Sequence, residues 1–200
     1  MSLANLFVEL VVTGFHTSIW IALLAVTLIG YENLDWGKLS NPNITAPLLA
    51  IVYILGIIVD KVSDALLSGM DHRMRNKIIQ KQKLQELPGF LSMRYQVLVK
   101  SNPLYEELGY IRSRMRIART AIVNFIFTTF AALIFVRFGI HTVIFPSDPW
   151  VIYLIILLAG IILSVLSYFA WAALNQTYIV SVLEAYRIVQ GKDSPKPKAK

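Results

Sequence analysis

Val151–Ala170, VIYLIILLAGIILSVLSYFA, decides the fold class. It holds no charge and no proline, and Trp150 and Trp171 bracket it. At a helical rise of about 1.5 Å per residue it covers about 30 Å, the thickness of a bilayer's hydrocarbon core. Tryptophan favours the two water–lipid interfaces, where the ring is apolar and the N–H still finds a partner. The segment is expected to be a transmembrane helix with an aromatic anchor at each end. The alternative, a buried helix in a soluble core, has to contend with three further segments that meet the same test.

Moving upstream, Gly139–Pro149 is a short loop with Pro146 and Pro149, and Ala118–Phe138 is a second apolar run. Ala46–Leu67 is a third, with charge returning at Asp60, Lys61 and Asp64 near its end. Leu3–Ile29 is a fourth, interrupted by Glu9 and His16, and Tyr31–Thr45 connects it to the next run through Gly37, Pro42 and several Asn. The composition agrees: 56% of the 200 residues are hydrophobic, and the mean hydropathy is +0.60, rare for a soluble domain of this size. The N-terminus, MSLANLFVEL, lacks the basic region of a cleaved signal, so it reads as a retained membrane segment. The expected fold class is an all-α integral membrane protein, four transmembrane helices with helical cytoplasmic extensions.

Charge sets the expected orientation. The net charge is +7, and all but Lys38 and Arg137 of the 19 basic residues lie in Lys61–Arg119 or from Arg187 onward. Basic loops stay on the cytoplasmic side, and an even number of spans puts both termini there, in a bacterial inner (plasma) membrane. The expected organisation is a hairpin over 1–67, a cytoplasmic helical segment over 68–117 and a second hairpin over 118–171. A cytoplasmic helix over 172–190 and a disordered basic tail over 191–200 follow. Within the middle segment, Asp60–Leu87 continues the second span to Pro88-Gly89, and Phe90–Lys100 is a short helix. Ser101-Asn102-Pro103 starts another, with Glu106 and Glu107 near its positive end. No proline intervenes from Pro103 to Pro146, which predicts one helix running from cytosol into membrane. Ile179, Leu183, Tyr186 and Val189 form an apolar stripe that needs the middle segment as its partner.

Candidate functional residues follow from depth. Counting rise from the inner edge puts Glu9 about 9 Å inside, with Asp60, Lys61 and Asn124 at a similar level. Ionisable groups in lipid are costly, so this polar layer should face the bundle interior, a partner or a water-filled path. It is either a pore constriction or ion site, or a Glu9–Lys61 pair that only fixes packing. Glu9, Thr13 and His16 share a face. That makes His16 either a proton relay or gate, or a histidine bonded to Thr13 or a neighbouring helix. Asp60, with Asp64 and Asp71, would make an acidic cytoplasmic mouth in a symmetric oligomer, or else a solvated face paired with Lys61 and Arg75.

Arg112, Arg116 and Arg119 form a stripe with Arg114 off it. Arginine forks suit phosphate, and anionic lipid headgroups are the expected contact. Gly160, Ser164 and Ser167 form a small-residue seam for helix packing, within the chain or between copies.

There is no cysteine, no HExxH, GxSxG or P-loop, and the three histidines fall at different levels. Neither catalysis nor a metal or cofactor is expected, and nucleic acid is not an expected partner. At the level of architecture, the plan resembles that of small bacterial channel subunits and of membrane effectors in prokaryotic defence systems. The sequence therefore predicts an oligomeric ion-conducting or membrane-permeabilising protein. The competing expectation is a non-conducting membrane sensor or scaffold that docks a soluble partner through its basic helices.

Overall fold

The fold was described from a computed structural model, which places residues 3–30, 33, 42–81, 89–140 and 150–191. The described residues form five helices and no strand: α1 (Leu3–Ile29), α2 (Pro42–Lys81), α3 (Phe90–Lys100), α4 (Asn102–Ile134) and α5 (Trp150–Val189). A π-helical turn, Phe135–Ile140, prolongs α4. Most of the expected Tyr31–Thr45 and Gly139–Pro149 loops, the 82–88 connection and the basic tail from 192 on lie outside the described residues.

Three helices are long and apolar enough to cross a membrane: α1 from Phe7 to Ile29, α4 with its extension to Phe138, and α5. Four were expected. In α2 the apolar run from Pro47 ends at Val59, and Asp60, Lys61 and Asp64 follow within five residues. The described residues are thus all-helical, with three long apolar helices among them, which is compatible with a membrane protein.

Local signals explain the ends. Gly30 closes α1 with a left-handed φ of 84°, and its N–H bonds the Val26 carbonyl at 2.9 Å, the conformation a side chain would resist. Ser101, extended at φ −150° and ψ 100°, separates α3 from α4, and Pro103 sits in the first turn of α4. Two details differ from expectation. The Ser101 side chain makes no capping hydrogen bond, and the first turn holds no acidic residue. Glu106 and Glu107 lie a position or two too far along.

The molecule packs in two ways. Toward one end, helices meet through small residues. A Cβ on Gly14 would lie 1.7 Å from the Val52 carbonyl oxygen, and one on Gly56 would lie 2.0 Å from that of Leu10. Only glycine allows α1 and α2 to touch backbone to backbone there. Gly160 of α5 instead receives a side chain, since an added Cβ would meet Thr129 Oγ1 of α4 at 1.8 Å. Gly160 of the expected seam thus packs within the chain, and Ser164 and Ser167 are half-buried. Most of the remaining α5 surface over 151–170 is exposed and apolar.

Toward the other end, a conventional core forms. Met93 and Val97 of α3, Leu108 and Met115 of α4, and Trp171, Ile179, Val182 and Leu183 of α5 are all buried together, with Leu67 of α2 beside them. The apolar stripe of α5 thus finds the partner expected for it, in α3 and the first half of α4. One expectation is overturned here. Trp171 is 1% exposed inside this core, its ring 5.8 Å from that of Tyr168, so it is no interfacial anchor. Trp150, at 61%, is exposed. The helix does not end at Trp171. It carries on for more than four further turns and buries the indole against α3 and α4.

Candidate functional site

Where the two packing regimes meet, three helices contribute polar side chains to one cluster, buried at Glu9 and Asp60 and exposed at Asp64. Glu9 comes from α1, Asp60 and Asp64 from α2, and Ser113, Arg116 and Arg119 from α4. The Arg116 guanidinium approaches Asp60 with Nη2–Oδ2 at 2.6 Å and Nε–Oδ1 at 3.3 Å. The same Nε lies 3.1 Å from Glu9 Oε1. Arg119 donates from Nη2 to Asp60 Oδ1 at 3.0 Å and from Nη1 to Asp64. Ser113 Oγ donates to Glu9 Oε2 at 2.6 Å.

Glu9 and Asp60 are 3% and 6% exposed. Charges this buried are tolerated only when their partners satisfy them in good geometry, and the arginine fork meets two carboxylates at once. Counted formally, three carboxylates face two guanidiniums.

The expected single polar layer is therefore two. Lys61, one residue on from Asp60 and so about 100° round the helix, points away and is exposed. It pairs with no described residue, and Arg116 takes the place expected of it beside Glu9. Asn124 belongs to a second layer farther along. Its Oδ1 accepts from Thr17 Oγ1 at 3.1 Å and Trp20 Nε1 at 3.2 Å. Thr13 and Thr120 hydroxyls meet at 3.4 Å between the layers. His16 does not bond Thr13. Its ring stands edge-on to Phe125, centroids 4.6 Å apart.

The other charged candidates disperse. Asp71 pairs with Arg75 one turn along α2, at 2.6 Å, and Arg75 also lies over the Phe90 ring. Arg114 lies over Tyr110, 5.7 Å from its centroid. Of the arginine stripe, Arg116 and Arg119 are held by carboxylates, and Arg112 borders a cleft of about 540 Å³.

Sequence reasoning missed Ser113, Thr17, Trp20, Arg94 and Asn175. The first-helix partners were visible, since Glu9, Thr13, Thr17 and Trp20 recur at helical spacing on one face. Asn175 and Arg94 offered no such signal, because their neighbours come from other helices.

No known protein family, curated protein or solved structure matches this chain.

Proposed function

We propose that this chain is a four-span membrane protein of the bacterial inner membrane. Both termini and the lobe built of α3 and the adjoining ends of α2, α4 and α5 would lie in the cytoplasm. It acts as a non-conducting sensor or scaffold. One observation carries the preference over a channel: Glu9, Asp60 and Asp64 are each engaged by Arg116 or Arg119. An ion path needs charged or polar groups facing water, and here the two buried carboxylates, Glu9 and Asp60, face arginines of α4.

α2 serves as the fourth span in this reading, because its carboxylates enter the bundle already paired. The lobe supplies the docking face. On α3, Leu91, Tyr95, Leu98 and Val99 form an exposed apolar stripe opposite buried Met93 and Val97, with Lys100 at its end. A soluble protein with an apolar groove and an acidic rim suits it.

Liposome flux tests the central claim. The reconstituted chain passes no ions, and Glu9→Gln and Asp60→Asn change nothing in that readout. Measurable selective conductance altered by either substitution would restore the oligomeric pore. Topology is tested in parallel. The chain has no cysteine, so a single Tyr95→Cys should react with an impermeant maleimide only from the cytoplasmic side.

A further inference from the structure

The cleft beside the buried cluster has two unlike ends. It lies between α2, the start of α3, α4 and α5. Leu10 and Ile57 line it on the side of the apolar helices, while Arg94, Arg112, Trp171, Asn175 and Tyr178 line it toward the lobe. Of the other charged residues of its lining, Arg75, Arg116 and Arg119 pair with Asp71, Asp60 and Asp64, and Lys61 is exposed on α2.

Arg94 and Arg112 have no such pairing: neither meets a carboxylate among the described residues. They lie within electrostatic range of each other and of Tyr178, and Arg112 also of Arg116 and of Glu9, to which it makes no ion pair. Arg94 is held in place over the Tyr105 ring, 5.8 Å from its centroid. Two like charges bordering one cleft repel unless an anion sits between them. A second, independent feature points the same way. Asn175 borders the cleft, is 1% exposed, and its Nδ2 has no hydrogen-bond partner. Buried donors are seldom left so.

We propose that this cleft binds one anionic phospholipid, with the phosphate between Arg94 and Arg112 and Asn175 Nδ2 donating to a headgroup oxygen. Guanidinium forks match phosphate oxygens, and basic pockets at the ends of membrane helices hold acidic headgroups. A lipid is favoured over a soluble phosphate because the cleft's apolar side is lined by Leu10 and Ile57, residues of helices read as spans. An acyl chain would follow Leu10 and Ile57 away from Arg94 and Arg112. The proposal reassigns the lipid contact from the stripe as a whole to Arg112 together with Arg94, and it rests on the membrane reading above.

Native mass spectrometry of the full chain, released from nanodiscs of equal phosphatidylglycerol and phosphatidylcholine, tests it. Phosphatidylglycerol should be retained over phosphatidylcholine by about tenfold or more. Arg94→Gln with Arg112→Gln should bring that ratio near unity. Asn175→Leu, close in shape and lacking the donor, should lower it. Arg114→Gln, outside the cleft, should leave it unchanged. No preference in the unsubstituted chain, or a preference surviving the double arginine substitution, overturns the proposal. So does displacement of the lipid by millimolar inorganic phosphate, which would make this a site for free phosphate. Alkaline extraction separates the two readings. A chain that stays in the membrane but retains no lipid refutes the site alone, and a chain that is extracted refutes both.

Discussion

Arg116 grips Asp60 through two arms of its guanidinium, at 2.6 and 3.3 Å, and so ties α4 to α2. Because the same Nε reaches Glu9 on α1, one side chain holds three helices. Removing it leaves Glu9 buried without a counter-charge and Asp60 with Arg119 alone, which costs about 3–5 kcal/mol. Arg116→Met is therefore expected to lower the thermal transition in detergent sharply. Adding Glu9→Gln and Asp60→Asn should recover most of the loss, since apolar or neutral replacements of a whole buried ionic cluster are often near neutral. Arg116→Lys keeps the charge, loses the fork, and should fall between. An Arg116→Met variant as stable as Arg114→Met would mean that the cluster does not hold the helices together.

The glycines divide cleanly by what surrounds them. Gly14 and Gly56 face backbone carbonyls of the opposite helix, whereas an added Cβ on Gly69 meets nothing within 4 Å. Backbone cannot move aside as a side-chain tip can, so Gly14→Ala and Gly56→Ala should each cost about 1–3 kcal/mol or more. Gly69→Ala, in an open stretch of α2, should stabilise by about 0.5–1 kcal/mol through helix propensity. Chemical unfolding in mixed micelles would give all three. Equal effects at Gly56 and Gly69 would contradict the close α1–α2 crossing.

How far the sequence could be read follows from which forces are local. Phe90–Lys100 emerges with the bounds expected, because Gly89 and Ser101-Asn102-Pro103 punctuate it from within its own neighbourhood. The uninterrupted helices through Arg119 and past Trp171 were legible for the same reason. Register was not. Asn124 was counted from an apolar edge at Ala118, yet α4 meets α1 with Arg116 already opposite Glu9, which places Asn124 opposite Thr17. Lys61 and Asp60 are adjacent in sequence but point about 100° apart, and only the neighbouring helix decides which one is buried. Trp171 shows the limit of residue preference: an indole that would suit an interface fills a core when the helix beneath it continues.

The Asn124 layer predicts a smaller effect than the ionic cluster. Asn124→Leu leaves the Trp20 N–H without its acceptor, while the Thr17 hydroxyl keeps the Thr13 carbonyl at 2.9 Å. Interhelical hydrogen bonds in lipid contribute about 0.6–2 kcal/mol, so the loss should be at most about half that of Arg116→Met. Thr17→Val should account for part of it and be non-additive with Asn124→Leu, because the two share one bond. Additive losses in a double-mutant cycle would show that the 3.1 Å contact contributes nothing.

The two tryptophans that flank the longest apolar stretch should behave oppositely. Trp171 is enclosed by the α3–α4–α5 core, and its truncation to alanine should cost about 3–5 kcal/mol. Trp150 lies 61% exposed at the start of α5, and Trp150→Ala should change stability by no more than about 0.5 kcal/mol. The damage at Trp171 should also be regional. The core it belongs to includes Met93 and Val97, whereas the Gly14–Gly56 crossing shares no residue with it. Hydrogen exchange in Trp171→Ala is therefore expected to accelerate first in α3 and in the α5 turns around Ile179 and Leu183, leaving amides near Gly14 protected. Uniform loss of protection across α1 and α3 would mean that the two packing regimes unfold as one unit.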